Sequence, residues 1–150
     1  MHDIPGKILG ILVAFILLVV APFVVTVTTN EMIDRRAAFM TMCDFVDGVI
    51  DSRAITENEL REFNSELQSY GMTMDYTIMR EMRSVDPDPL NPGDYVRTYI
   101  PTDDYMHYNQ GDHIILHVKS LGYSSSSSLA HSLAGMYIDP FDETIVARIR

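Results

Sequence analysis

The chain opens on an uninterrupted apolar run from Ile8 to Val25, and Lys7 is the only charged residue between Asp3 and Glu31. Roughly 18 residues at 1.5 Å rise cover about 27 Å, enough for the hydrocarbon core of a bilayer. Thr26 to Thr29 can extend the span. From Glu31 the pattern changes, yet no proline or glycine cluster marks a break. Met32, Phe39, Met42, Cys43, Val46, Val49 and Ile50 recur near one face at helical steps, while Asp34, Asp44, Asp47 and Asp51 fall largely elsewhere. The expectation is one continuous rod, apolar all round in its first part and amphipathic in its second. Pro22 would break a soluble helix, but a membrane helix tolerates it with a kink. Gly48 should weaken the last turn by about 1 kcal/mol relative to alanine.

Ser52 to Ile55 reads as a turn, after which Thr56 and Glu59 have the spacing of a capping box. Leu60, Phe63 and Leu67 form the buried stripe of a second, short helix, Glu57 and Arg61 an i,i+4 pair, and Gly71 its C-cap. The period then drops to two. Met72, Met74, Tyr76 and Ile78 alternate with Thr73, Asp75 and Thr77 as in a half-buried strand. Ser84 to Asp94 reads as a proline-rich loop, Tyr95 to Ile100 as a strand stopped by Pro101, and Thr102 to Met106 as a short helical turn. The turn Asn109-Gln110-Gly111-Asp112 leads into the clearest strand, His113 to Lys119, with Ile114, Leu116 and Val118 on one face. Leu121 to Ser128 is a serine-rich loop, Leu129 to Ile138 a short helix or irregular stretch, and Glu143 to Arg150 a last strand with Ile145, Ala147 and Ile149 inward. The predicted fold is α+β: a long N-terminal helix, a second short helix, and about four mostly antiparallel strands packed on the rod. Residues 1–29 form a short tail and transmembrane helix, and residues 30–150 one soluble head.

Composition sharpens this. Of 21 acidic and 11 basic residues only Asp3 and Lys7 precede Asn30, so the whole net charge of −10 sits in the head. Nucleic acid and tight adhesion to anionic lipid both call for basic patches and are not expected. The apolar run is long for a secretory signal, and the candidate cut after Val19-Val20-Ala21 is followed by Pro22. A retained anchor is therefore expected, with the lipid bilayer as its partner. Lys7 on one side and Arg35 and Arg36 on the other leave the positive-inside rule nearly balanced. Lone Cys43 cannot make an intramolecular disulfide and reports no compartment.

Several clusters carry candidate chemistry. Asp86, Asp88, Asn91 and Asp94 gather oxygen donors as calcium requires, but Pro87, Pro89 and Pro92 interleave them and the EF-hand spacing is absent, so a stiff solvated loop is the better reading. His113 and His117 are four apart, which on a strand separates them by roughly 13 Å and rules out one shared ion. A metal patch adding Asp103, Asp104, His107 and Asp112 is the weaker alternative to ordinary polar-face residues. Ser124 to Ser128 beside His131 has no nucleophile elbow and reads as a linker, and Cys43 as an inert core thiol. No catalytic, cofactor or metal residues are expected, and the chain is not expected to be an enzyme.

The order of parts resembles that of pilin-like proteins of the tight-adherence (Tad) and type IV class. Phe45-Val46-Asp47-Gly48-Val49, Ala54-Ile55-Thr56, Phe63, Leu67, Gly71-Met72-Thr73-Met74-Asp75 and Gln110-Gly111-Asp112 resemble a pattern in small pilin-like proteins carried beside Tad-type secretion genes. The likeness covers about Ile8 to Lys119. It implies a structural or accessory subunit at the cell membrane, with its head outside, that assembles with itself or with other pilin-like or secretion-apparatus subunits through the N-terminal helix. Ile8, Gly10, Ala14, Phe15, Ala21, Pro22, Phe39 and Val46 are the residues expected on that membrane and assembly helix. Gly10, Ala14 and Ala21 offer small surfaces for close approach. Gly6 stands where such proteins are cut, but Ile11 occupies the place of their usual glutamate, and counting from Gly10 the place falls on Phe15. A membrane-tethered extracellular binding or sensing module is the alternative.

Overall fold

The computed structural model describes residues 4–91, 93–102, 104–122, 124, 128, 131, 132, 135 and 139–150. One helix runs without interruption from Ile4 to Ser52, 49 residues, as the sequence pattern predicts. It is α-helical except for a single π turn at Ile16–Val20, where the N–H of Ala21 bonds to the carbonyl of Ile16. Pro22 explains the turn. Its ring crowds the carbonyl four residues back and it brings no N–H, so widening the helix just before it lets the rod continue. The helix ends at Arg53, which takes a left-handed φ of 58° and returns its N–H to Val49.

The short helix, Glu57–Ser69, starts on the expected capping box. Glu59 N–H donates to the Thr56 hydroxyl at 3.3 Å, and Thr56 N–H donates to the Glu59 carboxylate at 2.7 Å. The second bond holds the Glu59 carboxyl below its ordinary pKa. Thr56→Ala should cost about 1 kcal/mol, read as a lowered unfolding midpoint, because it orphans a helix-end donor. Gly71 follows the helix end with φ 70°, a conformation that suits glycine.

Four antiparallel strands follow: β1 Met74–Pro87, β2 Tyr95–Thr102, β3 His113–Ser120 and β4 Asp142–Arg148, in the order β2-β1-β3-β4. The fold is α+β as expected. Ile114, Leu116 and Val118 of β3 are fully buried against Ala38, Met42, Val46 and Val49 of the long helix, with Phe63 and Leu67 of the short helix closing the core. Gly111 precedes β3 at φ 95°, a conformation that calls for glycine, and a Cβ there would also require the Arg83 side chain, 2.9 Å away at Cδ, to shift.

Four local expectations change. β1 runs on to Pro87 through residues read as loop, because β2 pairs with it from Arg80↔Thr102 to Pro87↔Tyr95. β2 passes Pro101 and ends at Thr102, since a proline on an edge strand can turn its missing donor outward. Asp104 to Met106 form no helical turn, although Asp104 N–H does donate to the Thr102 hydroxyl at 3.4 Å. The buried helix face also differs from the expected one: Met32 is 70% and Phe39 41% exposed, and the buried residues are Val27, Glu31, Ala38, Thr41, Met42, Val46 and Val49. Beyond the membrane-length stretch the helix is apolar on two sides, and the sheet takes the side where Ala38 and Thr41 permit close approach. The Leu129–Ile138 stretch lies largely outside the described residues.

Candidate membrane-insertion and assembly surface

The first part of the long helix contributes nothing to the core. Ile8, Gly10, Ala14, Phe15, Ala21 and Pro22 are all exposed, and the most apolar stretch of the helix is long and apolar enough to cross a membrane with none of it buried within the chain. Its polar residues are already satisfied. The hydroxyls of Thr26, Thr28 and Thr29 donate to the carbonyls of Pro22, Val24 and Val25. These bonds suit an apolar medium, where an unmet hydroxyl is costly.

Apolar exposure continues past this stretch. Met32, Ile33, Phe39 and Met40 lie on the side of the helix turned away from the sheet, and Cys43 is partly exposed one turn farther on. Phe39 therefore belongs to an outward surface. Val46, expected on the assembly helix, is 2% exposed and belongs to the head's core; it is not available to a partner. Burial and the adjacent carboxylates of Asp47 and Asp44 push the Cys43 thiol up.

The head begins without a linker. Val27 is buried, and one turn later Glu31 is 3% exposed, accepting from the Ser124 hydroxyl at 2.6 Å and from Arg35 Nε at 3.3 Å. Arg35 also donates to the Asp139 carbonyl. Two points of the segment between β3 and β4 are thus fastened to the helix at the edge of its apolar span. The sequence signal for this clamp is a lone carboxylate, Glu31, at the core-side step between Val27 and Ala38.

β4 starts beside this clamp and ends near Ile50 at the other end of the helix, so β1 also runs away from the apolar span and β3 returns toward it. β3 begins at His113, opposite Glu81, which leaves β1 from Met82 to Pro87 paired with β2 alone. Arg83 N–H is still held by Asp112, so about 13 Å of two-stranded hairpin, Ser84 to Pro87 at roughly 3.3 Å per residue, projects at the far end. It exposes Met82, Val85, Tyr95, Val96 and Ile100, and Leu90 near its tip is 86% exposed.

The remaining candidates resolve into structural roles. Asp88 closes the hairpin tip by accepting from Leu90 N–H at 2.8 Å and Asn91 Nδ2 at 2.9 Å, bonds that hold its carboxyl below the usual range. Asp86 accepts from Ser84 at 3.1 Å. His113 stacks on Tyr99 and approaches Glu81 at 3.4 Å, whereas His117 meets Asp142 at 2.7 Å; the two histidines do not converge. Asp112, weighed as a metal residue, is buried against Arg80 at 2.7 Å. Asp103 lies outside the described residues, and among those described no three His, Cys, Asp or Glu side chains gather as a metal site. No family model, curated protein or solved structure matches the chain.

Proposed function

We propose that this protein is a single-pass membrane subunit, pilin-like in kind, whose role is structural and whose long helix associates with copies of itself or with related subunits of a surface or secretion assembly. The head stands outside the cell, its acidic charge keeping it soluble and clear of anionic lipid. The observation that carries this reading is the second apolar face. Met32, Ile33, Phe39 and Met40, grouped around the exposed Arg36, prolong the exposed apolar surface of the membrane-length segment onto a helix whose opposite side is already packed on the sheet. A simple tether needs no such face. Gly10 and Ala14, one turn apart and both exposed, suit close helix approach within the bilayer.

Cys43 tests the assembly directly, because it is the only cysteine and borders this face. In membranes containing the intact protein, a short bis-maleimide should trap a dimer through Cys43, faster as pH rises because the thiol is pushed up. Cys43→Ser should abolish the product. A chain that stays monomeric at every pH, although its thiol reacts with a monofunctional maleimide, would sink the assembly reading. It would favour the second one, a membrane-tethered binding module, for which the projecting β1–β2 hairpin and exposed Leu90 are the supporting observation.

A further inference from the structure

The two helices leave an open groove between them, lined by residues of these helices. Its floor is the stacked pair Phe45 and Phe63, ring centroids 4.3 Å apart, with Val49 alongside. Its rim carries Asp44 from the long helix and Glu59, Glu62 and Glu66 from the short one, and among the described residues none that lines it is basic. The space is about 230 Å³, below the roughly 300 Å³ at which pockets for whole drug-sized molecules begin. It is room for an inserted side chain.

Gly48 borders this groove within a regular helix. A Cβ built there would meet nothing within 4 Å, and the backbone is not in the left-handed region. Neither close packing nor conformation requires glycine, yet glycine costs about 1 kcal/mol against alanine in a helix interior. Its effect is to leave the partly exposed Phe45 uncovered, above Phe63 and Val49, which are each only 3% exposed.

We infer that this groove receives one apolar side chain of a cationic segment from a partner protein, with lysines or arginines on either side of the anchor meeting the four carboxylates. Charge complementarity decides the occupant. A floor at which Phe45 is partly exposed calls for an apolar anchor, and an acidic rim calls for cations around it. A second copy of this chain is opposed by its net charge of −10, and an anionic lipid surface is opposed by the same rim. The docking surface is separate from the outward face of Met32, Ile33 and Met40, so it holds whether or not the long helix self-associates.

The test uses the full chain in nanodiscs of zwitterionic lipid. The probe is a fluorescent synthetic helix of about 14 residues (roughly four turns) with one phenylalanine among lysines. Anisotropy should show saturable binding that weakens with salt. Gly48→Phe fills the groove without altering charge and should weaken binding by about tenfold or more, while the unfolding midpoint stays the same or rises. Replacing the probe's phenylalanine by serine should do the same. Asp44→Asn with Glu62→Gln should weaken binding by about tenfold at low salt and flatten the salt dependence. The proposal is overturned if Gly48→Phe binds like the wild type, which would mean adherence to net charge alone. It is also overturned if hexylammonium binds as tightly as the peptide, if unlabelled chain displaces the peptide, or if the wild type shows no binding at low salt.

Discussion

Asp112→Ala should destabilise the head by about 3–5 kcal/mol, enough to remove a large part of the stability of a domain this size. The carboxylate is buried between β1 and the turn before β3. One oxygen accepts from Arg80 Nη2 at 2.7 Å, Arg80 Nε at 2.9 Å and Asn109 N–H at 2.9 Å, and the other from Arg83 N–H at 3.0 Å. Truncation would leave a buried guanidinium without its counter-charge and two backbone donors without an acceptor. Arg80 would keep the Asp104 carboxylate, 3.8 Å away and largely exposed, the Asp104 carbonyl at 3.5 Å and the ring of Tyr108 at 5.6 Å. Burial pushes the Asp112 carboxyl up, but the Arg83 and Asn109 N–H groups and the Arg80 guanidinium outweigh it and hold the group below its ordinary pKa. A folded pKa below the unfolded one means stability present above about pH 4 and lost as pH falls through the folded value. Urea titrations of the full chain, followed by tyrosine near-UV circular dichroism, should show a lower midpoint for Asp112→Ala and a weaker acid dependence. Arg80→Met combined with Asp112→Leu should cost less than Asp112→Ala alone, because no charge is stranded, while the Arg83 and Asn109 N–H groups lose their acceptor in both. A loss under about 1 kcal/mol for Asp112→Ala would mean the pair contributes nothing beyond an ordinary surface bridge.

Leu17→Arg should raise the fraction of protein released from the membrane. Leu17 is exposed near the middle of the Ile8–Val25 run. An arginine at the centre of a spanning helix costs about 3 kcal/mol of insertion free energy, which is about a hundredfold in partitioning. Leu17 touches no part of the core, so the head should unfold at the same urea concentration as the wild type. Carbonate extraction and urea titration on one preparation separate the two effects. Unchanged membrane retention with Leu17→Arg would contradict the bilayer-spanning role given to this segment under the proposed function.

Most of the architecture is legible in the sequence because two periods are unambiguous. The apolar run, the Thr56–Glu59 box and the alternation around Ile114, Leu116 and Val118 each report a single local physical requirement. The errors fall where that requirement is not local. Met32 and Phe39 share a helix with Ala38 and Met42, and periodicity alone cannot say which of two apolar faces the sheet will cover. Pro87 and Pro101 read as breaks because the edge position of β2 is a property of the sheet. The groove over Phe45 and Phe63 exists only once two helices cross, so neither its acidic rim nor the use of Gly48 is visible along one dimension.

The buried Val27 and Glu31 leave no residue between span and head that could act as a swivel. A helix that is also a structural member of the head converts any tilt of the span into displacement at the other end. From Val25 to Ser52 the rod measures about 40 Å at 1.5 Å per residue, so a 10° change of tilt carries its far end about 7 Å, and the tip of the β1–β2 hairpin farther still. In a bilayer the protein is then a lever: thinning the membrane, or crowding the span with neighbours, would re-aim Leu90 without altering a single contact inside the head.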